Sequence, residues 1–248
     1  MTKKLLAAVI ALLVLCIIGF GVFKNQNENA SAAVEIEDSS VPLTGYYAGE
    51  DDEQFHDTDS ILVVANKKHP LPAGYEPQDL VRPNVEMVNE CFVRTLASSA
   101  LEEMFAAAEA DGVHLLLGAA YRGEVLQRQL YDSYAGQYGR SAADYISSRP
   151  GFSDHQTGLA VDISDHDTLT YLTENFDATP EGQWLLNHAY EYGFILRYPK
   201  GKEEITGYGY EPWHYRYVGP EAAKEIYNNG DWLAMEEYCQ VEGGDYGK

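Results

Sequence analysis

Along residues 89–228 the spacing of hydrophobic positions changes several times, and each change marks an element. In "NECFVRTLASSALEEMFAAAEADG" apolar residues fall three and four apart from Asn89 to Asp111, the spacing of one helix face, and Gly112 supplies a stop. "VHLLLGAAYRG" reads as a buried strand running into a turn, after which "EVLQRQLYDSYAGQYG" resumes helical spacing. Residues 141–152 predict a helix ending before Pro150, and "LAVDI" predicts a strand. A second strong helix is expected over residues 180–192, with Pro180 near its start and Gly193 at its stop. "FILRYP" and a polar turn at "KGKEEITGYGY" follow. The alternating aromatic "EPWHYRYVG" is then a strand, and "PEAAKEIYNNG" a C-terminal helix. Upstream, "ILVVANKKHPL" predicts a short strand stopping at Pro70. Helices cluster early and strands recur late. The pattern predicts an α+β domain, with a small, mainly antiparallel sheet and helices packed on it.

The pattern at the N-terminus is different. Lys3 and Lys4 precede nineteen uncharged, mostly apolar residues, Leu5 to Phe23. As a helix this run is about 28 Å long, close to the roughly 30 Å hydrocarbon core of a bilayer, and the lysines favour an N-in, C-out orientation. "ASA" at 30–32 offers a small-x-small cleavage site before Ala33. Residues 1–32 are therefore expected to be a signal peptide or an N-terminal membrane anchor. Either one places the remainder outside the cytoplasm, membrane-anchored or secreted. Residues 34–60 hold nine acidic side chains and no Lys or Arg, so 33–60 is expected to be an acidic linker, with Tyr46, Tyr47 and Phe55 able to dock on the domain. The domain itself is expected over 61–240.

Charge narrows the range of partners. The chain has 17 Lys and Arg against 39 Asp and Glu; Lys3, Lys4, Lys24 and Glu28 lie in the first 32 residues, so the remainder carries a formal charge of −24. So acidic a surface argues against nucleic acid and against adhesion to anionic lipid. Beyond the apolar segment only Cys91 and Cys239 remain, a pair that does not make a disulfide scaffold.

The candidate chemistry lies in "GFSDHQTGLAVDI", residues 151–163, and in "EPWHYRYVG". Alternation along "LAVDI" sends Val161 and Ile163 to one face and Ala160 and Asp162 to the other. Gly158 permits a sharp return that brings His155 beside Asp162. His214 is expected on a neighbouring strand, with Glu211 three residues before it across the stiff Pro212. Taken singly, either segment reads as ordinary hydrogen-bonded groups. Together, two histidines and an aspartate leave a fourth tetrahedral position open, the pattern of a catalytic zinc site with one ion. A carboxylate that is not a ligand, Glu211, can then act as the base. His69, His114, His166 and His188 are read as incidental, with His166 in a solvated turn and His188 packed against the sheet.

"SDHQTGLAVDI" fits the pattern S-x-H-x-x-G-x-A-x-D and "EPWHYRYVG" the pattern E-x-W-H of the VanY-like D-alanyl-D-alanine carboxypeptidases, zinc peptidases of the Hedgehog/D-Ala-D-Ala peptidase fold. "AAYRGEVLQ" is similar to the S-x-Y-R-S-x-x-x-Q segment of that family. "GFILRYPKGKEEITGYGYEPWHYRYVG" resembles its C-terminal signature over nearly its whole length. The resemblance spans about residues 61–228 and implies a peptidase that removes the C-terminal residue of peptidoglycan stem peptides. By position it implies zinc ligands His155, Asp162 and His214, the base Glu211, and Arg122 as oxyanion stabiliser or substrate anchor. Ser153 and Gln127 would line the substrate site, and Trp213 would wall it. Ala119 and Gly123 depart from the pattern, where the family often has small hydroxyl residues, and this bears on substrate contacts around Arg122. An L,D-carboxypeptidase acting on tetrapeptide stems fits the same motifs. A zinc-stabilised, non-catalytic wall-binding domain fits them less well, because Glu211 and Arg122 are both present.

Overall fold

The computed structural model describes residues 53–167 and 169–247. The apolar segment Leu5–Phe23 and most of the expected linker lie outside them. Among the described residues no helix is long and apolar enough to cross a membrane.

The fold is α+β, as the hydrophobic pattern predicts. Its main sheet comprises β3 (Leu116–Ala119), β4 (Ala160–Ser164), β5 (Phe194–Leu196) and β6 (His214–Tyr217) in the order β3-β4-β6-β5, with every pair antiparallel. A separate two-stranded ribbon joins β1 (Leu80–Val81) to β2 (Val93–Arg94). Register sorts the side chains. Val161 lies opposite Tyr215, Asp162 opposite His214 and Ala160 opposite Arg216. Residues directly opposed across an antiparallel pair share a face. Val161, Ile163 and Tyr215 therefore enter the hydrophobic core together, while Asp162, His214 and Arg216 gather on the other side.

Helix α1 (Thr95–Ala110) buries Ala97, Leu101, Met104 and Ala108, one stripe at helical spacing. It starts six residues later than the periodicity predicts. The preceding backbone is used elsewhere: Tyr121 N–H donates to the Phe92 carbonyl, Arg94 N–H to Gly158, and Thr95 N–H to Asp79. Next come α2 (Glu124–Tyr138) and α3 (Arg140–Ile146), the latter ending where Ser147 turns extended. The helix expected at 180–192 is α4 (Pro180–His188), capped by Thr179 Oγ1 accepting from Gly182 N–H at 3.0 Å. A 3₁₀ segment, Ala189–Tyr192, carries it on to Gly193. The stretch read as a polar turn contains the short α5 (Glu203–Thr206), and α6 (Pro220–Tyr227) and α7 (Met235–Cys239) complete the chain.

One predicted strand is absent. Val63, Val64 and Ala65 are buried, but residues 61–71 form turns and bends. Their polar backbone groups are satisfied without a ladder: the Arg216 Nη2 donates to the carbonyls of Ile61 (3.1 Å) and Val63 (2.7 Å), and Val64 N–H donates to Phe55. Phe55 sits in the core, so the last residues of the acidic stretch pack into the domain. At the other end, Gly244 N–H donates to the Ile205 carbonyl and Tyr246 Oη accepts from Arg149 N–H, both beyond residue 240. Cys91 and Cys239 are buried and form no disulfide.

Arg216 is fully buried in the middle of this arrangement. Its Nη1 meets Asp154 Oδ1, and its Nε donates to the Tyr217 carbonyl at 3.1 Å. A guanidinium removed from water is tolerated only when each donor finds an acceptor, as here. Arg216→Met is expected to lower stability by about 3–5 kcal/mol, because it leaves the buried carboxylate of Asp154 short of its main partner. The shift of a urea unfolding midpoint measures this, and a midpoint near that of the parent protein would contradict it.

Candidate metal centre

The site begins with a turn. Residues Asp154–Thr157 form one 3₁₀ turn, fastened by Thr157 Oγ1 donating to the Asp154 carbonyl at 2.6 Å and accepting from Leu159 N–H at 3.1 Å. Gly158 closes it in the left-handed region at φ +70°; a Cβ there would stand 3.0 Å from Arg94 Cγ and from Leu80 Cδ2. This reversal returns His155 to the face of β4 that carries Asp162, as the sequence anticipates. On β6, His214 is the register partner of Asp162.

Three buried side chains converge there. His155 Nε2 lies 3.4 Å from Asp162 Oδ2, and His214 Nδ1 lies 3.2 Å from Asp162 Oδ1. The imidazole rings meet edge to face at 4.7 Å, and one ligand-capable atom from each residue lies within 4.8 Å of the others. Although His214 Nδ1 is close to Asp162 Oδ1, the angles make no hydrogen bond, so that buried oxygen is left without a partner. The remote nitrogens are engaged. His155 Nδ1 is 2.9 Å from the Ala120 carbonyl, and His214 Nε2 is 3.5 Å from Asp154 Oδ2. Zinc takes this donor set, and histidine ligands held from behind by a carbonyl and a carboxylate are the arrangement such sites use. The residues fit the ion.

Burial and neighbouring charges set the protonation states. Burial alone would raise Asp162, but His155 and His214 outweigh it and hold the carboxylate well below its usual range. Burial pushes His155 down. It also works against a charge on His214, yet the carboxylates of Asp154 and Asp162 beside it prevail and bring that group to about 9. A proton and a cation thus compete for one lone pair. Glu211 Oε2 stands 3.5 Å from His214 Nδ1, and its side chain is 17% exposed, at the mouth of the cluster. Burial, only partly offset by the charge of His214, pushes it up to about 7.

The remaining predicted residues take different places. Arg122 N–H donates to the His155 carbonyl at 3.2 Å. Its Nε is buried with no partner, and among the described residues no carboxylate pairs with the guanidinium. Gln127 is fully buried; its Nε2 donates to Ser147 Oγ (3.1 Å) and the Ser148 carbonyl (2.6 Å), while its Oε1 has no partner. Ser153 is buried at the start of the 3₁₀ turn, and Trp213 packs half-buried against the core. His166 lies half-exposed, 3.9 Å from Glu86. His188 packs with its ring tilted against Trp184 and reaches Glu191 at 3.3 Å, because its place at the end of α4 leaves it near the surface rather than against the sheet. Sequence reading overlooked Asp154, and with it Tyr198, whose ring lies 4.9 Å from that of His214. A signal for Asp154 was available. It directly precedes a candidate ligand, and Arg216 follows His214 at i+2, on the same face of β6.

The chain is similar to known proteins. The family described as "VanY: D-alanyl-D-alanine carboxypeptidase" matches residues 90–220. The putative carboxypeptidase YodJ of Bacillus subtilis (strain 168) is 44% identical over 193 residues, covering 76% of this chain and 70% of that one. Among solved structures, the LdcB LD-carboxypeptidase aligns with a TM-score of 0.69 at 44% identity, over 75% of this chain and 89% of that one. The vancomycin resistance D,D-pentapeptidase VanY from a VanB-type cassette, in complex with Zn(II), aligns at 0.60 and 36% identity, over 71% and 97%.

Removing a donor tests the cluster directly. His214→Ala is expected to lose its zinc, read by elemental analysis after loading and desalting, while the unaltered protein retains about one equivalent. Unchanged zinc content in the variant would refute ligation by His214.

Proposed function

The chain belongs to the VanY family of D-alanyl-D-alanine carboxypeptidases, and on that premise we propose that it is a zinc-dependent peptidase releasing the C-terminal residue of peptidoglycan stem peptides. One observation carries the reading: three zinc-type donors lie within 4.8 Å of one another, with a non-ligand carboxylate, Glu211, 3.5 Å from His214 Nδ1. His155, Asp162 and His214 hold the ion. When bound, zinc supplies Lewis acidity, polarising a carbonyl and acidifying water.

The protein groups do the rest. Glu211 accepts the proton of the attacking water at its carboxylate and returns it to the leaving amine. Arg122, which pairs with no carboxylate among the described residues, offers its guanidinium to the negative charge that develops on the scissile carbonyl, or to the terminal carboxylate of the substrate. By their places in the family motifs, Gln127 and Ser153 line the substrate site and Trp213 walls it. Burial of the triad excludes bulk water from the reacting groups. Lys3, Lys4 and the run Leu5–Phe23 support export, with the domain acting on the outer side of the membrane while anchored there or after release.

The greater likeness to the LD-carboxypeptidase LdcB than to the D,D-pentapeptidase VanY favours tetrapeptide stems over pentapeptide stems. Residues 33–248, incubated with defined muropeptides and read by mass spectrometry, are expected to release D-Ala from tetrapeptides faster, and to stop when a chelator is added. Faster release from pentapeptides would reverse the assignment of specificity. Glu211→Ala is expected to retain zinc and fold while turnover falls at least about a thousandfold. Near-normal turnover would remove Glu211 from the proposed role.

A further inference from the structure

The two histidines of the cluster are backed differently. His155 Nδ1 faces a neutral acceptor, the Ala120 carbonyl at 2.9 Å. His214 Nε2 faces an anion, Asp154 Oδ2 at 3.5 Å. That carboxylate is fully buried and itself held by Arg216 through Oδ1 and by Arg197, whose Nε lies 3.8 Å from Oδ2. Arg197 is in turn gripped by Glu236, from Nη1 at 2.9 Å and Nη2 at 2.7 Å, and Asn66 Nδ2 donates to the same Glu236 at 3.0 Å. Glu236 is on α7 and Asn66 in the 61–71 segment, so both lie outside the family match at residues 90–220.

We propose that Asp154 is a positioning residue for His214: it accepts the Nε2 proton, fixes the ring with Nδ1 toward Asp162 and the ion, and is itself held by a buried relay of Arg216, Arg197, Glu236 and Asn66. This rests on the zinc reading above. A carboxylate behind a ligating imidazole fixes its tautomer and raises its basicity as a ligand. Rotation of Asp154 is restrained because Arg216 bonds its Oδ1 while the charge of Arg197 stands 3.8 Å from its Oδ2, and both arginines make their other bonds elsewhere. Arg216 holds the carbonyls of Ile61, Val63 and Tyr217, and Arg197 holds Glu236.

The test uses zinc and the folded protein. Asp154→Asn keeps the shape of the side chain and removes its charge; it is expected to bind zinc about 10–100-fold more weakly in competition with a chelator. Leu101→Ala, which truncates the core stripe of α1, controls for lost stability and is expected to stay within about twofold of the parent. An Asp154→Asn affinity equal to that of the Leu101→Ala control would overturn the proposal. A second measurement needs no variant. In the zinc-loaded protein, long-range ¹H–¹⁵N correlation of His214 is expected to show the proton on Nε2, and a proton on Nδ1 would overturn the proposal as well. If the unaltered protein took up no zinc, the metal reading itself would fall, and this outcome is distinct from either of the others.

Discussion

The carboxylate of Asp154, out of reach of water between Arg216 and Arg197, is the contact on which the rest of this structure hangs. Few polar groups in a protein interior connect so many segments. Through Arg216 it ties the 3₁₀ turn to β6 and to the irregular run at 61–63; through Arg197 and Glu236 it reaches α7. An isolated charge in such a place would be prohibitive, and the arrangement holds because nearly every donor and acceptor in it is matched. The same group lies directly behind a histidine of the candidate metal centre, so the interaction that joins the periphery to the sheet also borders the chemistry.

Much of this was legible in the sequence, for identifiable reasons. Helices α1, α2, α4 and α6 announce themselves through apolar stripes, and strands β3, β4 and β6 through short apolar or alternating runs bounded by glycine or proline. The convergence of His155, Asp162 and His214 could be read because alternation assigns Asp162 and Val161 to opposite faces, and because Gly158 marks the reversal. What the sequence concealed depended on partners distant along the chain. "ILVVANKKHPL" has the composition of a strand, yet its carbonyls are taken by a guanidinium more than 150 residues away, which no local pattern reveals. The 3₁₀ turn at Asp154 and the short α5 and α7 are too brief to show a period. Asp154 itself was visible as a letter but not as a buried ion, since burial is a property of the assembled fold.

The centre combines groups whose charge states oppose one another. Asp162 is held ionised by two imidazoles, while Glu211, less than 4 Å from one of them, is pushed toward neutrality by burial. Two carboxylates of ordinary intrinsic acidity are thus separated by their surroundings into a permanent anion and a group able to exchange a proton near neutral pH. Arg122 adds a cation that pairs with no carboxylate among the described residues, and its backbone is bonded to the residue that carries the first imidazole. Such groups are costly to keep in a fold unless something outside the chain completes them.

The pairing of Asp162 with His214 across β4 and β6 has a consequence for how the molecule matures. Side chains on adjacent strand positions point to opposite sides, so sliding one strand by a single residue would turn the carboxylate or the imidazole into the apolar interior. A sheet closed with that one-residue slip would therefore lack the facing carboxylate and imidazole on which the candidate centre is built, so strand register and assembly of the centre are a single event.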